Sequence, residues 1–305
     1  VGFGEVLTLL LPEDAAHIYL TFHSIPTEAE LRFFDGDGAL TGSATIGGPL
    51  FHQCYAVPRG SKSAELGSAK SSVAVSEIQI YQDLPRGLLL PEPPAQKADV
   101  LLVVAHTGDE SYYFGGLLPI LAGEKGYTVA VAFLSSAGRA AEEEAMHALH
   151  AAGVQEQPYF AGLAYRLRAA GEGASPKNIW DQYAVKTYLQ TLIRRCQPEI
   201  VITHDAAGES GDMLHANAAA LVRLGIMAAQ EGVEQADAWQ VGRLYEHQSS
   251  GGDIVLPVDA ALPSFGGSSA RTLAQQAYDG YTGFAVYHKT HLAADAPGYR
   301  LAEEY

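Results

Sequence analysis

The spacing of hydrophobic positions changes along the chain. Up to about Tyr81, short runs alternate with a period of two or are enriched in aromatic and β-branched residues: HIYLTFHS, ELRFF, GSATIGG and SSVAVSEIQIY. Gly, Pro, Asp and Ser clusters separate them, so this part reads as all-β. From Asp99 onward the texture differs. Apolar runs (VLLVVAH, YTVAVAFLS, EIVITHD) alternate with stretches of helical spacing (AAEEEAMHALHAAG, YAVKTYLQTLIRRC, HANAAALVRLGIMAAQEG). Buried strands alternating with helices predict an α/β domain with a mostly parallel sheet covered by helices on both faces. Between the two lies LPRGLLLPEPPAQKAD, where prolines 85, 91, 93 and 94 forbid a regular element and stiffen a connection. The expected organisation is a small β-sandwich over 1–84, a linker over 85–98 and an α/β domain over 99–305. The DGDG of FFDGDGALTGS lacks the ligand series of a calcium loop and predicts a hairpin turn.

Composition narrows the partners. A chain of 305 residues that is 48% hydrophobic and 18% charged can bury substantial cores. Nineteen Lys and Arg against 35 Asp and Glu leave a formal net charge of -16, which repels nucleic acid and anionic membrane surfaces. No stretch approaches the roughly 20 apolar residues of a membrane span, and the opening VGFGEVLTLLLPEDAA lacks the basic segment of a signal peptide. Any leader is expected to have been removed, and no compartment is assigned. Cys54 and Cys196 are too few and too far apart for a disulfide framework or a cysteine zinc site.

Candidate chemistry gathers behind two strands. The first, Leu101–Val104, runs into AHTGDE, and the second, Glu199–Thr203, runs into HDAAGESGDMLHANAAAL. In open α/β sheets the working crevice lies beyond the carboxyl ends of the strands, where both polar loops are expected. His106 and Asp109, three residues apart on one loop, can turn toward a common point. A histidine from a neighbouring strand end, such as His215, completes a three-ligand site with room for water and substrate. A competing role for Asp109 is to cap the helix that follows it.

AHTGDE resembles the AHPDDE motif of the LmbE/PIG-L family of zinc-dependent N-acetylsugar deacetylases, and GESGDMLH resembles that family's GEYGHxxH. IWDQYAVKTYLQTLIRRCQPEIVITHD and FGGSSARTLAQQAYDGY are similar to further family segments, the latter in bacterial members with an extra β-domain. The resemblance implies a Rossmann-like sheet, a jelly-roll-like N-terminal module and an N-acetylated sugar or glycoconjugate as substrate. It also implies zinc or another divalent metal held by His106, Asp109 and His215. The general base of the family, which deprotonates the attacking water, falls on Gly108, and the histidine that stabilises the tetrahedral intermediate falls on Asp212. An H-x-S-Q run in bacterial members is replaced by Tyr281, Thr282, Gly283 and Phe284. A general base is worth roughly 100- to 10,000-fold and an oxyanion donor a further ~100-fold, so weak or absent turnover is expected. Glu110, Asp205 and Asp212 are the carboxylates available as substitutes. Asp212, expected near the metal, is the better one, because Glu110 would have to point the wrong way for the family geometry.

The remaining histidines have plainer readings. His204 is expected behind the ligands or in a structural role, and His147 and His150 on a solvated helix face. His288 and His291 share a spacing without a companion acid. Arg139 with Glu142, Glu143 and Glu144 reads as a helix start. Three functions follow: an active zinc amidohydrolase, a degenerate relative that binds sugar or regulates, or a glycan-binding β-domain on an α/β scaffold. For the last, Tyr19, Phe33, Phe51 and Tyr55 are the aromatics available to stack on a sugar if they face solvent.

Overall fold

The computed structural model describes residues 1–2, 4–68, 72–163, 180–231, 237–248, 252–282 and 298–305. His288, His291, Gly283 and Phe284 lie outside the described residues. Contacts group the chain into two compact units, Val1–Pro93 and Pro94–Tyr305. Among the described residues no helix is long and apolar enough to cross a membrane.

The first unit contains β1 (Val6–Leu10), β2 (His17–Phe22), β3 (Glu28–Phe34), β4 (Leu40–Gly47), β5 (His52–Ala56), β6 (Ser63–Gly67) and β7 (Val75–Tyr81). They form antiparallel sheets in the orders β1-β6-β3-β4 and β5-β2-β7. In β3 the alternation of the sequence becomes alternation of burial, with Ala29, Leu31 and Phe33 inward and Glu28 and Glu30 outward. Ile18, Leu20 and Phe22 of β2 join Leu31, Phe33, Ile46 and Leu66 in one core, each large side chain worth about 1.5–3 kcal/mol of burial. The β3–β4 hairpin turns at Asp35, whose Oδ1 accepts the N–H groups of Asp37 and Ala39. Strands β5 and β6 escape the sequence pattern because each is short and polar or small at several positions, and β1 because its largely apolar run Val6–Leu10 does not alternate. Ala64 and Leu66 of β6 are nevertheless buried once β1 and β3 flank them.

Two of the four aromatics considered for sugar stacking do not face solvent. Phe33 is core, and Tyr19 is buried, its hydroxyl donating to the Leu89 carbonyl at 2.7 Å and lying 2.6 Å from His52 Nδ1. Phe33 turns inward with Leu31 by the alternation of β3, whereas Tyr19 lies on the face of β2 opposite Ile18 and Leu20 and is buried against His52, Leu89 and Tyr81. Phe51 and Tyr55 are partly buried.

The second unit carries β8 (Val100–His106), β9 (Val129–Ser135), β10 (Tyr159–Phe160), β11 (Ile200–Thr203), β12 (Arg243–Gln248), β13 (Ile254–Val255) and β14 (Gly298–Glu304) in one sheet. Its order is β10-β9-β8-β11-β12-β14-β13, parallel from β10 to β12 and antiparallel at β14 and β13. The helices are α1 (Asp109–Tyr112), α2 (Arg139–Ala151), α3 (Gln182–Cys196), α4 (Met213–Gln230) and α5 (Ala270–Asp279). Successive residues of β8 point into different cores. Leu101, Val103 and Ala105 pack with Leu189 and Ile193 of α3 and Val222 of α4, whereas Val100, Leu102 and Val104 pack with Ala145 and Leu149 of α2 and Ala277 of α5. This two-sided burial explains why the strand reads as an unbroken apolar run. The fold is thus mixed α/β, with antiparallel sheets in the N-terminal unit.

Strand β12 was hidden by its polarity. Its buried Glu246 is tolerated because Arg223 Nη1 and Arg300 Nη2 each approach its carboxylate to 2.6 Å. Both cysteines are free.

Candidate functional site

The parallel register places the site. Val100 of β8 pairs with Ile200 of β11, and Thr203 of β11 with Glu246 of β12, so His106, His204 and His247 all emerge at the same edge of the sheet. The chain proceeds from β8 to β9 on one side and returns to β11 on the other, which opens a crevice between the loops after β8 and β11. His215, in the first turn of α4, enters that crevice.

Asp109 lies at its centre. Its Oδ2 accepts the His106 backbone N–H at 2.8 Å and stands 3.3 Å from His106 Nδ1, 3.4 Å from His204 Nε2 and 3.5 Å from His215 Nε2. Burial opposes its charge, but hydrogen bonding from the surrounding imidazoles and the positive potential of His106 outweigh burial and hold its carboxyl well below the usual range. Behind it lies a second carboxylate. Glu209 Oε2 is 2.9 Å from both His204 Nδ1 and His215 Nδ1, and its Oε1 is 2.9 Å from His247 Nδ1. Burial again works against ionisation and the imidazoles again prevail, so Glu209 is held below the ordinary carboxylate range. His215, between the two acids, is pushed up to about 10: burial opposes the proton and the carboxylates overcome it.

His204 is constrained differently. Asp109 and Glu209 favour its protonation over the opposing effect of burial. Yet the Ala105 backbone N–H donates to His204 Nε2 at 3.0 Å, and a proton there would face that N–H. Geometry therefore makes His204 the neutral Nδ1–H tautomer, donating to Glu209 at 2.9 Å. The rings of His204 and His215 stack with centroids 4.1 Å apart and planes 1° apart.

Gly108 and Glu110 shape the loop. Gly108 has φ 101° and ψ -29°, in the left-handed region where a β-carbon is disfavoured. Its N–H donates to Glu110 Oε2 at 2.7 Å, while Glu110 Oε1 accepts from Ser111 Oγ at 2.7 Å and from the Tyr281 hydroxyl at 2.5 Å. Burial pushes the Glu110 carboxyl up to about 7 against these bonds. Glu110 thus spends its oxygens on the loop and on Tyr281. Asp212 caps α4: its Oδ1 accepts the N–H of Leu214 at 2.7 Å and of His215 at 3.5 Å. Asp205 accepts from the Ala207 N–H at 2.7 Å and from Gln248 Nε2 at 2.9 Å. On α2, Arg139 pairs with Glu143 at 2.6 Å, His147 is exposed and His150 half-buried.

The family model described as GlcNAc-PI de-N-acetylase, PIG-L, matches residues 101–225, which contain both loops of the crevice. Residues 101–225 are a PIG-L/LmbE family domain. No curated protein matches the chain. Among solved structures, a conserved protein from Thermus thermophilus is similar at 17% identity and a TM-score of 0.47, over 68% of this chain and 96% of that one. GalB, the 4-carboxy-2-hydroxymuconate hydratase from Pseudomonas putida KT2440, is similar at 19% identity and a TM-score of 0.48, again over 68% and 96%. The N,N'-diacetylchitobiose deacetylase of Pyrococcus horikoshii is similar at 14% identity and a TM-score of 0.43, over 64% of this chain and 75% of that one.

The donor set of the PIG-L domain fits a divalent metal. One donor atom each from His106, Asp109 and His215 lies within 4.8 Å of the others. A tetrahedral ion with bonds near 2.0–2.1 Å has ligand-to-ligand edges of about 3.3 Å, close to the 3.3 and 3.5 Å separations of Asp109 Oδ2 from the His106 and His215 nitrogens. His204, Glu209 and His215 form a second grouping at similar range. There the Ala105 N–H occupies His204 Nε2, and Nδ1 is committed to Glu209.

Sequence reasoning passed over Glu209, His247 and the link from Tyr281 to Glu110. Glu209 stood in the GESGDMLH motif as a possible signal. His247 had none, because a lone histidine on a polar strand looks like solvent-facing surface.

Proposed function

We propose that the PIG-L domain holds a divalent metal, zinc by preference, through His106, Asp109 and His215, and that it binds an N-acetylated amino sugar or glycoconjugate as a de-N-acetylase-like protein of weak turnover. The convergence of those three donors within 4.8 Å carries the reading. A metal bound there supplies a Lewis acid for a carbonyl oxygen and lowers the pKa of water. The chain supplies the rest. Asp109, held ionised, offers its Oδ2 to the donor set while the His106 N–H fixes its rotamer. No carboxylate stands at residue 108 to take a proton from attacking water, and Glu110 is turned to the Gly108 N–H, Ser111 and Tyr281. Asp212 places an anion, committed to capping α4, where a donor to the oxyanion is wanted.

These same observations favour a second reading, a carbohydrate-binding or regulatory protein without turnover. Gly108 at φ 101° is its strongest support, since the backbone there is shaped for a residue with no side chain. With either reading goes a finer architecture: a Rossmann-like sheet over 99–305, a linker over 85–98 and a jelly-roll-like sandwich over 1–84 that serves as a glycan-binding accessory. Acetate release from N-acetylglucosamine conjugates, with zinc and with chelator, separates the two. Slow, chelator-sensitive release supports weak turnover, and saturable sugar binding without release supports the second reading. Neither release nor binding across N-acetylated sugars overturns both.

A further inference from the structure

Glu209 is an uncommon construction. One carboxylate that is 4% exposed sits against the Nδ1 atoms of His204, His215 and His247, from three different elements, and its Oε1 also accepts the Asp205 N–H at 3.2 Å. The Nδ1 atoms of His204 and His247 are both aligned for hydrogen bonds to it, each at 2.9 Å. The loop that carries Glu209 is built for this placement. At Gly208, φ is +75° and a β-carbon would lie 1.9 Å from the Asp212 carbonyl oxygen, so the turn closes only with glycine.

The consequence falls on His215. With Nδ1 turned to Glu209, its Nε2 is left facing Asp109 Oδ2 at 3.5 Å, on the side of His106. A carboxylate on the far nitrogen fixes the ring and raises the basicity of the near one, the usual arrangement behind a metal-ligating imidazole. The His215 contact lies at 2.9 Å but out of hydrogen-bond alignment, whereas those of His204 and His247 are aligned. His204 and His247 thus hold Glu209 by hydrogen bonds, and the carboxylate so held stands 2.9 Å from His215 Nδ1. His204 takes no part as a ligand, since the Ala105 N–H already uses its Nε2 lone pair.

We propose that Glu209 is a positioning residue for His215 and that His247 is the strut that keeps Glu209 in place, making the His204–Glu209–His215 grouping a support for a single metal site rather than a second one. This rests on the metal reading above, and the test separates the two. Zinc binding to the full chain is measured by competition with a chromophoric chelator, alongside melting temperature. Wild type that binds no zinc overturns the metal reading before any variant is made, and this proposal with it. Given binding at about one equivalent, folded Glu209→Gln, isosteric but uncharged, should bind zinc some 10- to 100-fold more weakly. His247→Ala should weaken binding in the same direction, and His247→Gln, which restores an N–H donor, should recover most of it. A purely structural role would lower melting temperature in these variants and leave the zinc affinity of the folded protein unchanged. Folded Glu209→Gln with wild-type affinity overturns the proposal, as does a second equivalent of zinc that His204→Ala removes. If Glu209→Gln does not fold, equal affinity in His247→Ala and His247→Gln overturns it, and unequal affinity in the stated order supports it.

Discussion

The Tyr281 hydroxyl donates to Glu110 Oε1 at 2.5 Å, joining the segment after α5 to the loop that carries Asp109. Glu144 reinforces this tie, its Oε1 accepting from the Thr282 backbone N–H at 2.9 Å and from the Thr282 hydroxyl at 2.5 Å. Tyr281→Phe should therefore destabilise the protein by about 1–3 kcal/mol, the cost of leaving a buried carboxyl one donor short. Urea unfolding at fixed pH measures it, and an unchanged midpoint would contradict the tie.

The same carboxyl gives a pH dependence. Glu110 is raised from 4.5 to about 7 in the folded state, so the folded chain binds the proton more tightly than the unfolded one. Its contribution to stability is complete below 4.5 and is lost as pH rises through about 7. His215, raised from 6.5 to about 10, adds a loss between those values, in metal-free protein. Asp109 and Glu209 are lowered instead, so their contributions are lost as pH falls below the ordinary carboxylate range. Melting temperature of chelator-treated protein should peak in mildly acid solution and decline toward pH 10. Glu110→Gln should flatten the part of that decline up to about pH 7 and leave the remainder.

Metal content offers a direct check. Elemental analysis of purified protein should find about one divalent ion per chain. His106→Ala removes one of the three proposed donors and should abolish most of it. Full occupancy in that variant would show that the ion sits elsewhere.

Gly108→Asp tests the missing base at a cost that φ 101° makes explicit. A β-carbon in the left-handed region costs roughly 1–2 kcal/mol, so the variant should melt lower while its acetate release rises. Asp212→His should be less stable by about 0.5–2 kcal/mol through loss of the α4 cap, whereas Asp212→Asn keeps the cap and should melt near wild type. A folded, metal-loaded Gly108→Asp/Asp212→His protein that still releases no acetate would mean that the substrate contacts have diverged as well.

A fragment beginning at Pro94 should fold alone, since its sheet and its three core clusters are built from its own residues. Near-ultraviolet circular dichroism and a cooperative melt would verify it. A molten fragment would mean that residues before Pro94 complete the core.

Much of this protein was legible without coordinates, and for local reasons. Strands buried on both faces, such as β8, must be apolar throughout, and helices with one buried face must repeat at helical spacing, so these elements announce themselves. His106, Asp109 and His215 were legible because a short loop and a helix start hold them close in sequence to recognisable motifs. Tertiary structure decided what depends on partners distant in the chain. Strand β12 exists because Arg223 and Arg300 neutralise its buried Glu246. His247 matters because β12 lies beside β11, which brings it to Glu209 across 38 residues. One oxygen of Glu110 is engaged because Tyr281, 171 residues away, reaches its carboxyl. A sequence states which groups can ionise, donate or accept, but the partner that fixes each one's charge and direction is chosen only when the sheet order and the loops bring distant segments together.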